Sequence, residues 1–136
     1  MSRQMSRRGL QLLLRFLGLV AFVAGLGTVI FGVASVAGAE AVSGTVDSEM
    51  RFYAVWYSGA GLLLLRSARR VEREATIVRG ISVALFVAGC SRALSWMVVG
   101  EPHVVAQVLM VIELSLPLVI VPWQASVTRI GTEHSE

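Results

Sequence analysis

Four apolar segments follow one another along the chain, separated by short polar links. They cover residues 10–37, 49–65, 75–99 and 104–122. The first is long enough to cross a hydrocarbon core of roughly 30 Å, since a helix rises about 1.5 Å per residue. The second is the shortest and carries Tyr53, Trp56 and Tyr57 toward its start, where aromatic rings suit a membrane–water interface. The pattern predicts four transmembrane helices between a tail over residues 1–9 and a tail over residues 124–136.

The bilayer restricts what these segments can be. A backbone inside hydrocarbon must satisfy its own hydrogen bonds, so a spanning segment is either a helix or a strand of a closed barrel. The alternating segments of about ten residues that mark barrel strands are absent from the sequence. Short links favour antiparallel neighbours. The predicted fold class is therefore all-α, an integral membrane antiparallel four-helix bundle over residues 10–123.

The links differ in charge, and this predicts an orientation. Arg residues of the amino-terminal tail and the middle link are Arg3, Arg7, Arg8, Arg66, Arg69, Arg70 and Arg73. The two other links contain neither Arg nor Lys and carry Glu40, Asp47, Glu49 and Glu101. By the positive-inside rule, both termini and the middle link are cytoplasmic. The chain has no Lys, as is common in GC-rich bacteria, so the predicted location is the bacterial cytoplasmic (inner) membrane.

Composition excludes several classes of protein. Hydrophobic residues make up 55% and charged residues 15% of the chain, whereas a soluble domain has roughly 25% charged residues. The net charge of +3 lies at the ends of apolar runs, so nucleic-acid binding is not expected. No P-loop, dinucleotide-binding glycine pattern or zinc spacing occurs, and Asp47, Glu101 and His103 are too scattered to predict a metal site. We expect no enzyme activity, no cofactor and no metal.

Small residues form a stripe on the first helix. Its members are Gly18, Ala21, Gly25, Thr28, Gly32 and Ser35. Steps of three and four residues keep them on one face, where small side chains let another helix approach closely. Two interpretations are open: packing against the protein's own helices, or docking of a partner's helix. A shorter stripe on the third helix contains Gly80, Ala84 and Ala88.

Two charges lie deep in the third and fourth segments. Arg92 precedes Val99 by seven residues, about 10 Å at helical rise, and Glu113 follows Val104 by nine, about 14 Å. Antiparallel helices bring them to similar depth, which predicts a salt bridge. Pro117 follows Glu113 by four residues and leaves the Glu113 carbonyl without its usual donor.

The second segment supplies two more charges near the same boundary. Glu49 and Arg51 point to opposite faces, roughly 200° apart around a helix. If Arg51 faces inward, two Arg side chains approach Glu113, and the resulting positive cluster could accept an anion such as a lipid phosphate. The other interpretation of the charge cluster Arg51, Arg92, Glu113 and Glu49 is a structural one, in which a salt bridge holds the bundle in register.

Short motifs along most of the chain resemble a known family. The motifs are residues 47–53, 59–62, 89–95, 100–103 and 113–117, and their Glu-x-Arg, Gly-x-x-Arg and Glu–Pro elements come in a characteristic order. The chain is similar to an uncharacterised family of small four-helix bacterial membrane proteins, domain of unknown function 4345. The resemblance implies the same four-helix fold and the same charged residues, and it implies no activity.

The leading functional hypothesis is a non-enzymatic accessory subunit of a larger envelope membrane complex, such as a lipid transporter. Its expected partners are membrane lipids and other membrane protein subunits. The alternative is a stand-alone binder or small transporter of an anionic lipid or small anion, acting through Arg51, Arg92 and Glu113. A membrane-embedded enzyme is a third class, and it requires a nucleophile or metal site that the sequence does not provide.

Overall fold

The structure, a computed structural model, describes the backbone of residues 3–132 and the side chains of residues 6–128. The helices are α1 (Arg3–Phe31), α2 (Gly44–Ser67), α3 (Ala75–Val99) and α4 (Val104–Thr132). Short 3₁₀ turns, Gly32–Ser35 and Ala68–Arg70, follow α1 and α2. No strand occurs within residues 3–132. The predicted all-α fold of four helices is confirmed.

Three parts of the described chain are long and apolar enough to cross a membrane: Ser6–Ser35, Ala75–Val99 and Val104–Thr128. Helix α2 has sufficient length, but polar residues lower its hydropathy. Arg51 lies about two turns after its start and Arg66 one residue before its end, and Ser58 with two glycines interrupts the apolar sequence between them. The chain is therefore a membrane protein with three helices of spanning character, and a fourth crossing by α2 stays a prediction.

Four helix boundaries differ from the prediction by more than two residues, and one of them is the start of α2, at Gly44 instead of residue 49. The first helix was expected to reach residue 37, but α1 ends at Phe31 because Gly32 turns the backbone to φ +62°. The fourth was expected to end at 122, but α4 continues to Thr132 through Pro117 and Pro122. Each proline removes one hydrogen bond. Beyond Pro122, the helix is tied to the bundle by hydrogen bonds of Trp123 with Ser6 and of Gln124 with Arg79. The tails are thus partly helical, since α1 begins at Arg3, and residues 133–136 lie outside the described part.

The four helices form two antiparallel hairpins. Most contacts between helices join α1 to α2 and α3 to α4, and far fewer join one hairpin to the other. In the first hairpin Gly18 lies against Gly61, while Gly25 lies against Ala54. Later residues of α1 thus meet earlier residues of α2, as in an antiparallel pair. The helices approach this closely because glycine has no side chain.

The stripe of small residues on α1 faces α2. A Cβ atom at Gly18 would lie 2.9 Å from the Gly61 carbonyl oxygen, and one at Gly25 would lie 2.8 Å from the Ser58 nitrogen. Gly18, Gly25 and Gly32 are buried, while Ala21 and Thr28 are half-buried and Ser35 is exposed. Of the two interpretations of this stripe, the structure supports packing against the protein's own helix.

The hydrophobic core lies at one end of the bundle, where α1 and α3 begin and α2 and α4 end. We call this the basic end, and the opposite one the acidic end, after the charges of their links. The buried core residues are Leu10, Leu14, Leu64, Ala68, Val71, Val78 and Ile120. They come from all four helices and from the link that follows α2, so the basic end is where the two hairpins are packed together.

A buried glutamine adds polar contacts to this core. The Gln124 side chain is 1% exposed, and its Oε1 accepts a hydrogen bond from Arg79 Nε at 2.8 Å. Its Nε2 donates to the Val71 carbonyl at 3.4 Å and to Thr128 Oγ1 at 3.1 Å. Gln124 therefore joins α3, α4 and the link after α2, although the sequence placed it in a polar tail.

Replacing Gln124 with Ala is expected to destabilise the basic end. The change leaves buried donors and acceptors without partners, which costs about 1–3 kcal/mol. Thermal unfolding in a mild detergent measures the loss. Gln107→Ala is the matched control, because Gln107 lies at the acidic end and donates to Glu101 at 3.0 Å and to the Pro102 carbonyl at 2.9 Å, outside the hydrophobic core. Equal losses in the two variants would show that Gln124 has no special role.

Candidate functional site

The charged pair in the second hairpin joins α3 to α4. Arg92 Nε lies 2.7 Å from Glu113 Oε2, and the Glu113 side chain is 7% exposed against 41% for Arg92. Gly89 lies one turn before Arg92 and brings the helices close, since a Cβ there would stand 2.9 Å from Leu114 Cγ. The salt bridge that was expected from the matching depths is present.

The surroundings of this pair favour a fixed contact. Pro117 is buried one turn after Glu113, and its ring nitrogen cannot donate to the Glu113 carbonyl. The two charges of the pair balance each other, so the pair carries no excess charge with which to attract an anion.

Arg51 does not join this pair, and that part of the predicted cluster is wrong. Its Nε lies 2.7 Å from Asp47 Oδ2, and its Nη1 donates to the carbonyls of Val29 and Ile30 at 2.8 and 2.9 Å. The last carbonyls of a helix have no partner within the helix and carry partial negative charge. Arg51 is drawn to this helix end, away from Glu113.

Asp47 completes a clip around the end of α1. Its Oδ2 accepts from Arg51, and its Oδ1 accepts from the Val33 backbone nitrogen at 2.8 Å. Gly32 makes room for the clip, because a Cβ there would collide with Asp47 and Arg51. We call Asp47 and Arg51 the α1 clip. Its sequence signal is the four-residue spacing of opposite charges, which places both on one face of a helix.

Glu49 takes no part in either contact. It lies exposed on α2, and no ion pair or side-chain hydrogen bond of Glu49 occurs within residues 6–128. The four charges that the sequence grouped together thus divide into a pair between α3 and α4, a clip between α1 and α2, and one surface carboxylate.

The polar residues of the acidic end also have separate partners. Gly38 packs against His103, with a φ of +76° that suits glycine, so the two links of the acidic end touch. His103 Nδ1 accepts from the Val105 nitrogen at 3.3 Å. Glu101 accepts from Gln107, while Asp47 belongs to the α1 clip. Each group has a structural contact of its own.

The α1 clip predicts how the stability of the protein depends on pH. Arg51 beside Asp47, together with the Val33 nitrogen, holds the pKa of that carboxyl below its ordinary value of 3.8. A lowered pKa in the folded state means that the contribution to stability is present above the unfolded pKa and is lost as pH falls through the folded one. The melting temperature of Asp47→Asn should therefore lie below that of the wild type by a constant amount at neutral pH.

Acidification should then close this difference. Once the pH falls below 3.8 and through the lowered pKa, the wild type loses the clip and approaches Asp47→Asn. Glu49→Gln removes one negative charge from the same helix end and serves as the control. A wild-type advantage over Asp47→Asn that grows on acidification would contradict the assignment.

Comparisons with known proteins place the chain in a family. A search of curated proteins and a search of solved structures each return no match. One family model does match, described as Domain of unknown function (DUF4345), over residues 9–124. The matched stretch runs from the first turns of α1 to Gln124 in α4, and it contains both charged contacts and the small-residue interface. The chain belongs to this family of domains of unknown function.

Proposed function

We propose that the chain is a non-enzymatic accessory subunit of a larger membrane complex of the bacterial cell envelope, such as a lipid transporter. The observation that supports this proposal most is an unused face of small residues on α3. Gly80 and Ala84 are exposed, and a Cβ at Gly80 would have no neighbour within 4 Å. Lipid tails gain nothing from small side chains, whereas a partner helix can approach them closely.

The contrast between the two stripes strengthens the proposal. On α1, Gly18 and Gly25 are buried against α2 and serve the chain's own fold. On α3, Gly89 serves the contact with α4, while Gly80 and Ala84 are directed away from the rest of the chain. Packing within the bundle therefore accounts for the first stripe and leaves the second without a role. A helix of a partner subunit is the occupant that we assign to it.

The proposed arrangement is a bundle of four crossings in the bacterial cytoplasmic (inner) membrane, with both termini in the cytoplasm. The arginines of the amino-terminal tail and of the middle link lie at the basic end. The positive-inside rule, by which such segments stay in the cytoplasm, supports this orientation. Most large side chains of α3 and α4 away from the core are exposed apolar ones, including Leu94, Met97 and Leu118. Such surfaces fit lipid or another membrane helix.

The alternative, an anion binder in the half of the bundle nearer the acidic end, has less support. It required Arg51 and Arg92 to converge on Glu113, but Arg51 is engaged by Asp47 and by the end of α1. Arg92 and Glu113 form a salt bridge with each other. We therefore assign the pair a structural role, and the proposal includes no catalytic residue and no cofactor.

Native mass spectrometry after mild extraction from the source membrane tests the proposal. The wild type should appear in a heavier assembly with a second protein in fixed ratio. Gly80→Leu and Ala84→Phe enlarge two exposed positions of the α3 face, so both should release the partner while the melting temperature is kept. Gly59→Leu is the control, since this glycine of α2 also has no neighbour within 4 Å. A clean monomer or homodimer, or a partner retained in all variants, would overturn the proposal.

A further inference from the structure

A groove with a basic rim runs beside the first hairpin at the basic end. Its volume is about 750 Å³. The lining residues are Arg15, Leu62, Leu63, Leu65, Arg66 and Arg69. Three guanidinium groups and three leucines thus share one surface, and none of these residues belongs to either charged contact described above.

The helix spacing explains why these side chains meet. Leu62, Arg66 and Arg69 are four and three residues apart, which places them along one face of α2 and the turn that follows it. Arg15 comes from α1, one turn before Gly18, and a Cβ at Gly18 would touch Leu65. The close pairing of the two helices therefore sets Arg15 beside the end of α2.

The three arginines have no acidic partner within the described side chains. The ion pairs there are Arg7 with Glu72, Arg51 with Asp47 and Arg92 with Glu113. Arg15, Arg66 and Arg69 are all exposed. Like charges that share one groove repel each other, and an anion between them relieves the repulsion. A guanidinium binds phosphate oxygens through two parallel hydrogen bonds, so phosphate is the anion that this donor set fits best.

The leucines narrow the choice between a free anion and a lipid. Leu62 is 57% exposed and Leu63 is 46% exposed. They lie about one helical turn further from the basic end than Arg66, toward the middle of the bundle. The groove is therefore polar at the helix end and apolar toward the middle of the bundle. A phospholipid in a leaflet has the same order, with its head group at the surface and its acyl chains inside. Inorganic phosphate would leave the apolar half uncovered.

We propose that this groove binds an anionic glycerophospholipid, with its phosphate between Arg15, Arg66 and Arg69 and an acyl chain along Leu62 and Leu63. The site is separate from the α3 face, so it stands whether or not a partner subunit exists. Basic pockets at the cytoplasmic ends of membrane helices bind lipid head groups in this manner.

Lipid titration followed by native mass spectrometry tests the site. The purified full chain in a mild detergent is offered equal amounts of phosphatidylglycerol and phosphatidylcholine. The wild type should retain phosphatidylglycerol selectively, and Arg66→Gln/Arg69→Gln should lower its apparent affinity on the order of tenfold. Arg70→Gln/Arg73→Gln removes the same charge from the link that follows, outside the groove, and should bind as the wild type does.

Two further measurements complete the test. Arg15→Gln alters a different helix and should also weaken binding of phosphatidylglycerol, so it tests the site even if Arg66→Gln/Arg69→Gln fails to fold. Millimolar inorganic phosphate should not displace the lipid. Equal loss in the two double variants, no preference of the wild type for phosphatidylglycerol, or full displacement by inorganic phosphate would each overturn the proposal.

Discussion

Gly61→Val is expected to separate α1 from α2 and to give the largest loss of stability of any single change in the first hairpin. A Cβ at Gly61 would stand 2.5 Å from the Phe22 nitrogen and 2.7 Å from the Gly18 carbonyl oxygen. Both neighbours are backbone atoms, so no side chain can rotate away. Overpacking costs about 1–3 kcal/mol where side chains adjust, and here we expect the upper end of that range or a failure to fold.

Thermal unfolding in mild detergent measures this effect, and α2 offers a close control. Gly59→Val makes the same substitution two residues earlier, where a Cβ meets nothing within 4 Å. That variant should stay within about 0.5 kcal/mol of the wild type, as surface substitutions do. If Gly59→Val and Gly61→Val lose equal stability, the loss comes from valine in the helix and not from the contact between α1 and α2.

Arg92→Ala is expected to cost roughly 3–5 kcal/mol, because it leaves a charged Glu113 without its partner in a buried position. The Glu113 side chain is 7% exposed, whereas Arg92 is 41% exposed and its long side chain can reach polar surroundings. Glu113→Ala should therefore be milder than Arg92→Ala. Removing both partners should recover part of the loss, since no charge is then left unpaired.

A second ion pair of the chain provides the reference for this experiment. Arg7 Nε lies 3.0 Å from Glu72 Oε1, with the two side chains 46% and 37% exposed. Exposed pairs contribute at most about 1 kcal/mol, so Arg7→Ala should have little effect. Chemical unfolding in detergent measures both losses. Equal losses for Arg7→Ala and Arg92→Ala would show that the salt bridge between α3 and α4 contributes no more to stability than an exposed ion pair does.

Some parts of this fold could be predicted from the sequence because polar residues mark them sharply. Helix α3 spans residues 75–99 as predicted, bounded by the charged link that ends at Glu74 and by Gly100. The contact of Arg92 with Glu113 followed from depth alone, since both residues lie in long helices whose rise per residue is constant. In each case one helix and its boundaries contain the necessary information.

Other parts depend on contacts that hydropathy does not record. Apolar residues continue to Ala37, but the backbone turns at Gly32. The place of Arg51 was missed because its partners include backbone carbonyls of another helix. The sequence pattern assigns Gln124 to a polar tail, since composition cannot show that a polar side chain will be buried. Each error concerns a tertiary contact that replaces a local tendency.

Labelling of single cysteines tests most directly whether α2 crosses the membrane and so completes a bundle of four crossings. In a Cys90→Ser background, Ser43→Cys lies before α2 and Arg73→Cys lies after it. A membrane-impermeant maleimide applied to intact cells should label Ser43→Cys and leave Arg73→Cys unlabelled until the membrane is permeabilised. Equal labelling of both positions before permeabilisation would put them on one side of the membrane, and would contradict the crossing.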